Sequence, residues 1–130
     1  MKKLLYFLII ISLFACKKTE YDPEGPTDIR VRNLSNLTFT EVIVNTNADR
    51  DTIGDIGPTQ LSEYFRFEKA YSKAEISATI NGVVFSTGPI NTTYMNTIGR
   101  NRITYEVFIS NMANRELSHI IIIEEPLVLK

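Results

Sequence analysis

Between Lys73 and Ile80 apolar and polar residues alternate without a break, Ala74, Ile76, Ala78 and Ile80 on one side and Lys73, Glu75, Ser77 and Thr79 on the other. Successive side chains of a strand point to opposite faces, so this period of two predicts a half-buried strand. Asn81-Gly82 follows at once and leads into Val83-Val84-Phe85. Both central residues of a type I′ turn need positive φ, which Asn and Gly accept most readily, and the pair predicts a hairpin. Ile29 and Val31 alternate with Asp28, Arg30 and Arg32 before a turn at Leu34-Ser35-Asn36. Leu37 to Val44 reads as a second strand whose apolar parity slips between Phe39 and Val42, which predicts a bulge at Thr40-Glu41 or a strand covered on both faces.

Asn45 to Arg50 reads as a loop, Asp51 to Ile56 as a short strand, and Gly57-Pro58-Thr59-Gln60 as a turn into Leu61 to Phe67, with Phe65 and Phe67 inward and Tyr64 outward. Ala70-Tyr71 has room for one helical turn. Gly88 to Arg100 is a polar connection, Arg102 to Ser110 a strand with Ile103, Tyr105, Val107 and Ile109 on one side, and Ser118 to Glu124 a last strand containing Ile120-Ile121-Ile122-Ile123. Four consecutive isoleucines make a sticky edge if left open, so this strand is expected to be flanked on both sides. Seven to eight short strands without helical periodicity predict an all-β, antiparallel β-sandwich. It resembles either an immunoglobulin-like or a transthyretin-like sandwich; with no Trp and no cysteine pair, the core pin of antibody domains is missing.

A different pattern opens the chain. Lys2 and Lys3 precede an apolar run from Leu4 to Phe14 broken only by Ser12, the layout of a secretory signal. A helix of about a dozen residues rises about 18 Å, short of a hydrocarbon core of about 30 Å, so this segment is no membrane span. It ends in Leu13-Phe14-Ala15-Cys16, which resembles the lipobox of bacterial lipoproteins, and Phe14-Ala15-Cys16 followed by Lys17-Lys18 is similar to Bacteroidota signals. The resemblance implies cleavage before Cys16, a diacylglycerol on its thiol and an acylated amine, and so an outer-membrane protein held by lipid in the periplasmic leaflet or at the cell surface. Two or three acyl chains at about 0.8 kcal/mol per methylene hold firmly where one does not. Cys16 is the only cysteine, so lipidation leaves no thiol for a disulfide, a metal or a nucleophile.

The chain thus divides into a signal peptide over 1–15, a lipidated cysteine and flexible tether over 16–27 and one β-sandwich domain over 28–130. Removing the signal takes away two lysines and no acid, moving the formal charge from −1 to −3. The mature chain carries no basic stripe, which argues against a nucleic-acid partner.

Candidate chemistry is sparse. His119 is the only histidine, the serines lie in no Gly-x-Ser-x-Gly setting and the glycines form no phosphate loop, so neither an enzyme nor a cofactor is expected. Asn45, Asn47, Asp49, Asp51 and Asp55 place oxygen ligands at alternate positions before and around Gly54, a weak calcium pattern, but Ile53 and Gln60 stand where ligands belong and a solvated turn is the simpler reading. Asp51-Thr52-Ile53 resembles the Asp-Ser/Thr-aliphatic sequence at which Bacteroidota attach O-glycans, marking Thr52. Tyr64, with Tyr71 and Tyr94, offers a platform on which a sugar ring could stack, although most aromatics here read as core.

Ser62-Glu63-Tyr64 after Gly57-Pro58, then Ala74-Glu75-Ile76, the Asn81-Gly82 hairpin and Ile103 to Val107 together resemble small Bacteroidota lipoproteins. That resemblance implies a sandwich and an envelope location, and no activity. The expectation is a non-catalytic envelope lipoprotein that binds another envelope component, protein or glycan, with a tyrosine-based carbohydrate-binding accessory protein as the alternative.

Overall fold

The computed structural model describes residues 25–126, and side chains up to Glu124. The signal peptide, Cys16 and the tether as far as residue 24 lie outside the described residues. The domain is all-β, with β1 (Thr27–Asn33), β2 (Phe39–Asn45), β3 (Arg50–Ile56), β4 (Phe65–Phe67), β5 (Glu75–Ile80), β6 (Val83–Ser86), β7 (Asn101–Asn111) and β8 (Glu116–Pro126). These strands form one sheet in the order β3-β2-β5-β6-β8-β7-β1-β4. The sheet curls nearly closed, since β3 at one end lies against β1 and β4 at the other.

The period-two segments form as expected. In β5, Ile76, Ala78 and Ile80 are buried, and Asn81 and Gly82 both take positive φ (51° and 79°) in the turn to β6. The parity slip in β2 is a bulge: Glu41 sits at φ 47°, the register shifts between Phe39 and Val42, and Phe39, Val42 and Val44 all reach the core. An extra residue in one strand restores facing without reversing the strand.

Four expectations need correction. The sheet is mixed, because β1 pairs with β7 in parallel and β6 meets β8 in parallel. Parallel neighbours need a long crossover, and here all of β2 to β6 intervenes between β1 and β7, so no local turn signal announces the pairing. The strand expected over 61–67 shrinks to Phe65–Phe67. Ser62 competes with the ladder: its hydroxyl accepts the Val31 N–H at 2.9 Å while its own N–H donates to the Val31 carbonyl at 2.8 Å. Ala70-Tyr71 is irregular, between bends at Glu68 and Ser72 and without a helical turn, with Ala70 fully buried. The isoleucine strand is flanked by β7 along its length but meets β6 only where Ser86 faces Glu116.

β1 begins at Thr27. Gly25 and Thr27 are buried, and the Thr27 hydroxyl donates to the Gly99 carbonyl. Inside, Ile29, Val31, Ile103, Tyr105 and Val107 from the β1–β7 pair pack with Phe39, Val44, Ile76 and Phe67 into one core.

Candidate functional site

Where β8 leaves β6, a groove of about 260 Å³ opens between the start of β8 and the connection after β6. It is lined by Lys73, Ala74, Thr87, Pro89, Ile90, Leu117, Ser118 and His119. Its floor is held by Thr87, whose hydroxyl accepts the Ile76 N–H at 2.9 Å and donates to the Ala74 carbonyl at 3.2 Å. His119 points inward because it faces Val107 across the antiparallel pair, on the core side of β8. Its Nε2 accepts the Ala74 N–H at 3.3 Å, and its ring stands edge-on to Tyr105, centroids 5.2 Å apart at 86°. Burial first, then the Lys73 charge, hold the imidazole below its ordinary pKa. The ring is a neutral structural acceptor at neutral pH, with that nitrogen occupied. Tyr105 is buried beneath it, its hydroxyl donating to the Tyr71 carbonyl at 2.5 Å, and burial pushes its pKa up.

A second polar cluster covers the outward face of β1, β7 and β8. Glu124 is its hub: it accepts from Arg30 and from the Tyr64 hydroxyl, and from the Thr104 hydroxyl at 2.9 Å. Arg30 Nε also donates to Thr104 Oγ1 at 3.0 Å. The Tyr64 hydrogen bond, followed by Thr104 and Arg30, keeps the Glu124 carboxyl below the usual range, while burial and then that same bond raise Tyr64, so the proton stays on the phenol. The Arg30 and Arg102 guanidinium carbons lie 4.8 and 5.5 Å from the Tyr64 ring centroid, within cation–π range. Arg66 with Asp28, and Arg32 with Glu106, continue the pairing along the same face.

The tyrosines proposed as a platform do not assemble. Tyr64 belongs to the Glu124 cluster, Tyr71 lends its carbonyl to Tyr105, and Tyr94 is 96% exposed on the connection before β7. Among the described residues no ring pair joins them. The calcium candidates are likewise separated. Asp51 and Asp55 lie on β3, where four residues span about 13 Å. Each acid also has local work: Asp49 accepts from the Arg50 and Glu68 N–H groups, Asp51 from Thr52 and Asp55 from Glu41. Asn45 accepts from the Asn47 N–H, and Asn47 donates its side-chain amide to the Ile90 carbonyl. Among the described residues no group of three His, Cys, Asp or Glu is placed to hold a metal ion. Thr52 is exposed on β3, the outermost strand of its end of the sheet.

The groove residues Lys73, Thr87 and Ser118 were not legible as a set. They come from three segments that only the β6–β8 junction brings together, and the one available signal was a lone histidine opening an apolar strand.

No family model matches the chain, and neither does any curated protein. Among solved structures it is similar to the NMR structure of a protein from Eubacterium rectale, at 17% identity and a TM-score of 0.47, over 82% of this chain and 96% of that one.

Proposed function

We propose that this is a lipid-anchored envelope protein whose β-domain acts by binding rather than by catalysis. The observation that carries the reading is how the reactive side chains are used: Glu124 accepts from Arg30, Tyr64 and Thr104, and His119 accepts from Ala74 through Nε2 while its ring stands edge-on to Tyr105. Groups so tied stabilise a scaffold and are poorly placed to exchange protons with a substrate. Geometry favours presentation of loops away from the anchor. Thr27 at the start of β1 and Pro126 at the end of β8 meet at one end of the sheet, through Arg102 and Asn101 of β7. The 112–115 turn lies at the other end of β7, an 11-residue strand and so roughly 35 Å away. Met112 is exposed there.

The strand order supports a transthyretin-like sandwich over an immunoglobulin-like one. Split at the single β6–β8 pair, the sheet becomes two four-stranded leaves, β3-β2-β5-β6 and β4-β1-β7-β8. In the immunoglobulin arrangement the first strand pairs with the second, whereas β1 lies between β4 and β7.

Labelling cells with an alkyne-bearing palmitate tests the anchor. Label on the chain in the outer-membrane fraction, lost on Cys16→Ala, is expected; an unlabelled, freely released chain would refute it. Exposed Thr52 gives the same experiment a second readout, since an O-glycan there adds mass that Thr52→Val removes. The carbohydrate-binding alternative loses its central ring, because two guanidinium groups already lie against Tyr64. A glycan-array signal abolished by Tyr64→Ala but not by Tyr94→Ala would reinstate it.

A further inference from the structure

The groove beside His119 continues past Ile90. A second hollow of about 360 Å³, lined by Lys73, Pro89, Ile90, Asn91 and Met95, shares Lys73, Pro89 and Ile90 with the first, so the two form one trough along the connection after β6 with Lys73 common to both halves. Hydrogen-bonding capacity along this trough is one-sided. Three of its acceptors are already in use: the Ala74 carbonyl takes the Thr87 hydroxyl at 3.2 Å, the Ile90 carbonyl takes the Asn47 amide at 3.0 Å, and Asn91 Oδ1 takes the Thr93 N–H at 3.0 Å and its hydroxyl at 2.6 Å. The side-chain donors are not. His119 Nε2 accepts the Ala74 N–H, so this nitrogen holds a lone pair and the proton of the neutral ring sits on Nδ1. Among the described residues, that Nδ1–H, the Ser118 hydroxyl, the Asn91 amide and the Lys73 ammonium find no acceptor.

The rest of the wall narrows the ligand. Neither half of the trough is lined by an acid, and one ammonium with several neutral donors matches a single negative charge better than a dianion. Pro89, Ile90, Met95 and Leu117 make the apolar part, with no Phe, Tyr or Trp on which a sugar ring could stack. Each hollow lies near or below the lower end of the range for drug-sized ligands, about 300 Å³, so the occupant is compact. We propose that this trough binds a small aliphatic monocarboxylate, its carboxylate on Lys73 and the His119 Nδ1–H and its hydrocarbon tail along Ile90 and Met95. The assignment rests on the binding reading above and gives it a ligand class.

The test uses the full chain in detergent, read through the ring signals of His119 in NMR spectra, with hexanoate as the probe; the chain holds no other histidine. Hexanoate should move those signals saturably with a Kd of about 1 mM, as a solvated ion pair with a short tail allows. Acetate, four methylenes shorter, should bind at least about tenfold more weakly. Hexan-1-ol, which lacks the charge, and glucuronate, which carries it on a sugar, should each bind at least about fivefold more weakly. Lys73→Gln, at an exposed position, should weaken hexanoate by at least about fivefold while the melting temperature and the hexan-1-ol response stay as they are, and Lys73→Arg should remain within about twofold of the wild type. All variants are measured in the same micelles, so partitioning of the probe into detergent cancels. The absence of a saturable shift up to about 20 mM hexanoate overturns the proposal. So does hexan-1-ol or glucuronate binding as tightly as hexanoate, or a hexanoate affinity indifferent to Lys73→Gln. A silent His119 removes this ligand and leaves the anchor standing, whereas an unlabelled Cys16 removes the anchor and leaves the ligand.

Discussion

Asn33 shows how much one buried side chain holds in place. Its amide nitrogen donates to the Leu37 carbonyl at 2.7 Å and the Ile56 carbonyl at 3.1 Å, while its oxygen accepts the Ser35 N–H and hydroxyl. It thereby closes the turn between β1 and β2 and ties it to the end of β3. Asn33→Ala strands buried carbonyls and should cost about 2 to 4 kcal/mol in urea unfolding. Asn33→Asp should cost as much, because an ionised carboxylate has nothing to donate. His119 gives a pH signature. Its folded pKa lies below 6.5, so between those values the unfolded chain binds the extra proton and stability falls as the pH drops. Melting curves between pH 7.5 and 5.5 should show that decline in the wild type, with a slope of at most about 1.4 kcal/mol per pH unit. His119→Phe should flatten it while keeping an aromatic contact to Tyr105; an unchanged pH dependence would remove the assignment.

Among the elements, β2 and β8 show what local pattern can and cannot reveal. The slip between Phe39 and Val42 was legible because facing is a matter of parity within one strand, and the bulge at Glu41 answers it. Glu41 pays for that with a left-handed backbone, so Glu41→Gly should raise stability by up to about 1 kcal/mol in chemical denaturation, provided the N–H bond to Asp55 survives. A drop in stability would show that the side chain matters more than the backbone. The Asn81-Gly82 hairpin was legible for the same local reason. The partners of β1 and β8 were not, since they depend on segments far away in the sequence. The isoleucine run therefore suggested a strand flanked on both sides, when among the described residues β6 meets β8 only at Glu116. Tyr64 was correctly placed outward, but its capture by Arg30 and Glu124 requires β4, β1 and β8 to be neighbours, which no periodicity states.

At the scale of the whole molecule, pairing along the sheet is uneven. Every other neighbouring pair of strands is a ladder of several residues, whereas β6 and β8 are joined by a single pair, supported by the Ser86 N–H donating to the Arg115 carbonyl at 3.2 Å. Hydrogen exchange should mirror this layout. Amides of β1 and β7, each paired on both sides, are expected to exchange last, and those of β6 well before them. Equal protection of β6 and β7 would mean that the seam opens only with global unfolding. The core residues of this molecule were largely readable as a list, since alternation names inward positions; the order of the strands that carry them was not, because it turns on the parallel β1–β7 pairing.

That pairing also decides how the domain bears load. β1 is held between β7 and β4, and it is the strand into which the chain enters at Thr27. A tug arriving from the N-terminal side acts along the strand axis, so both ladders resist in shear, and many hydrogen bonds must yield together before any one strand slides free.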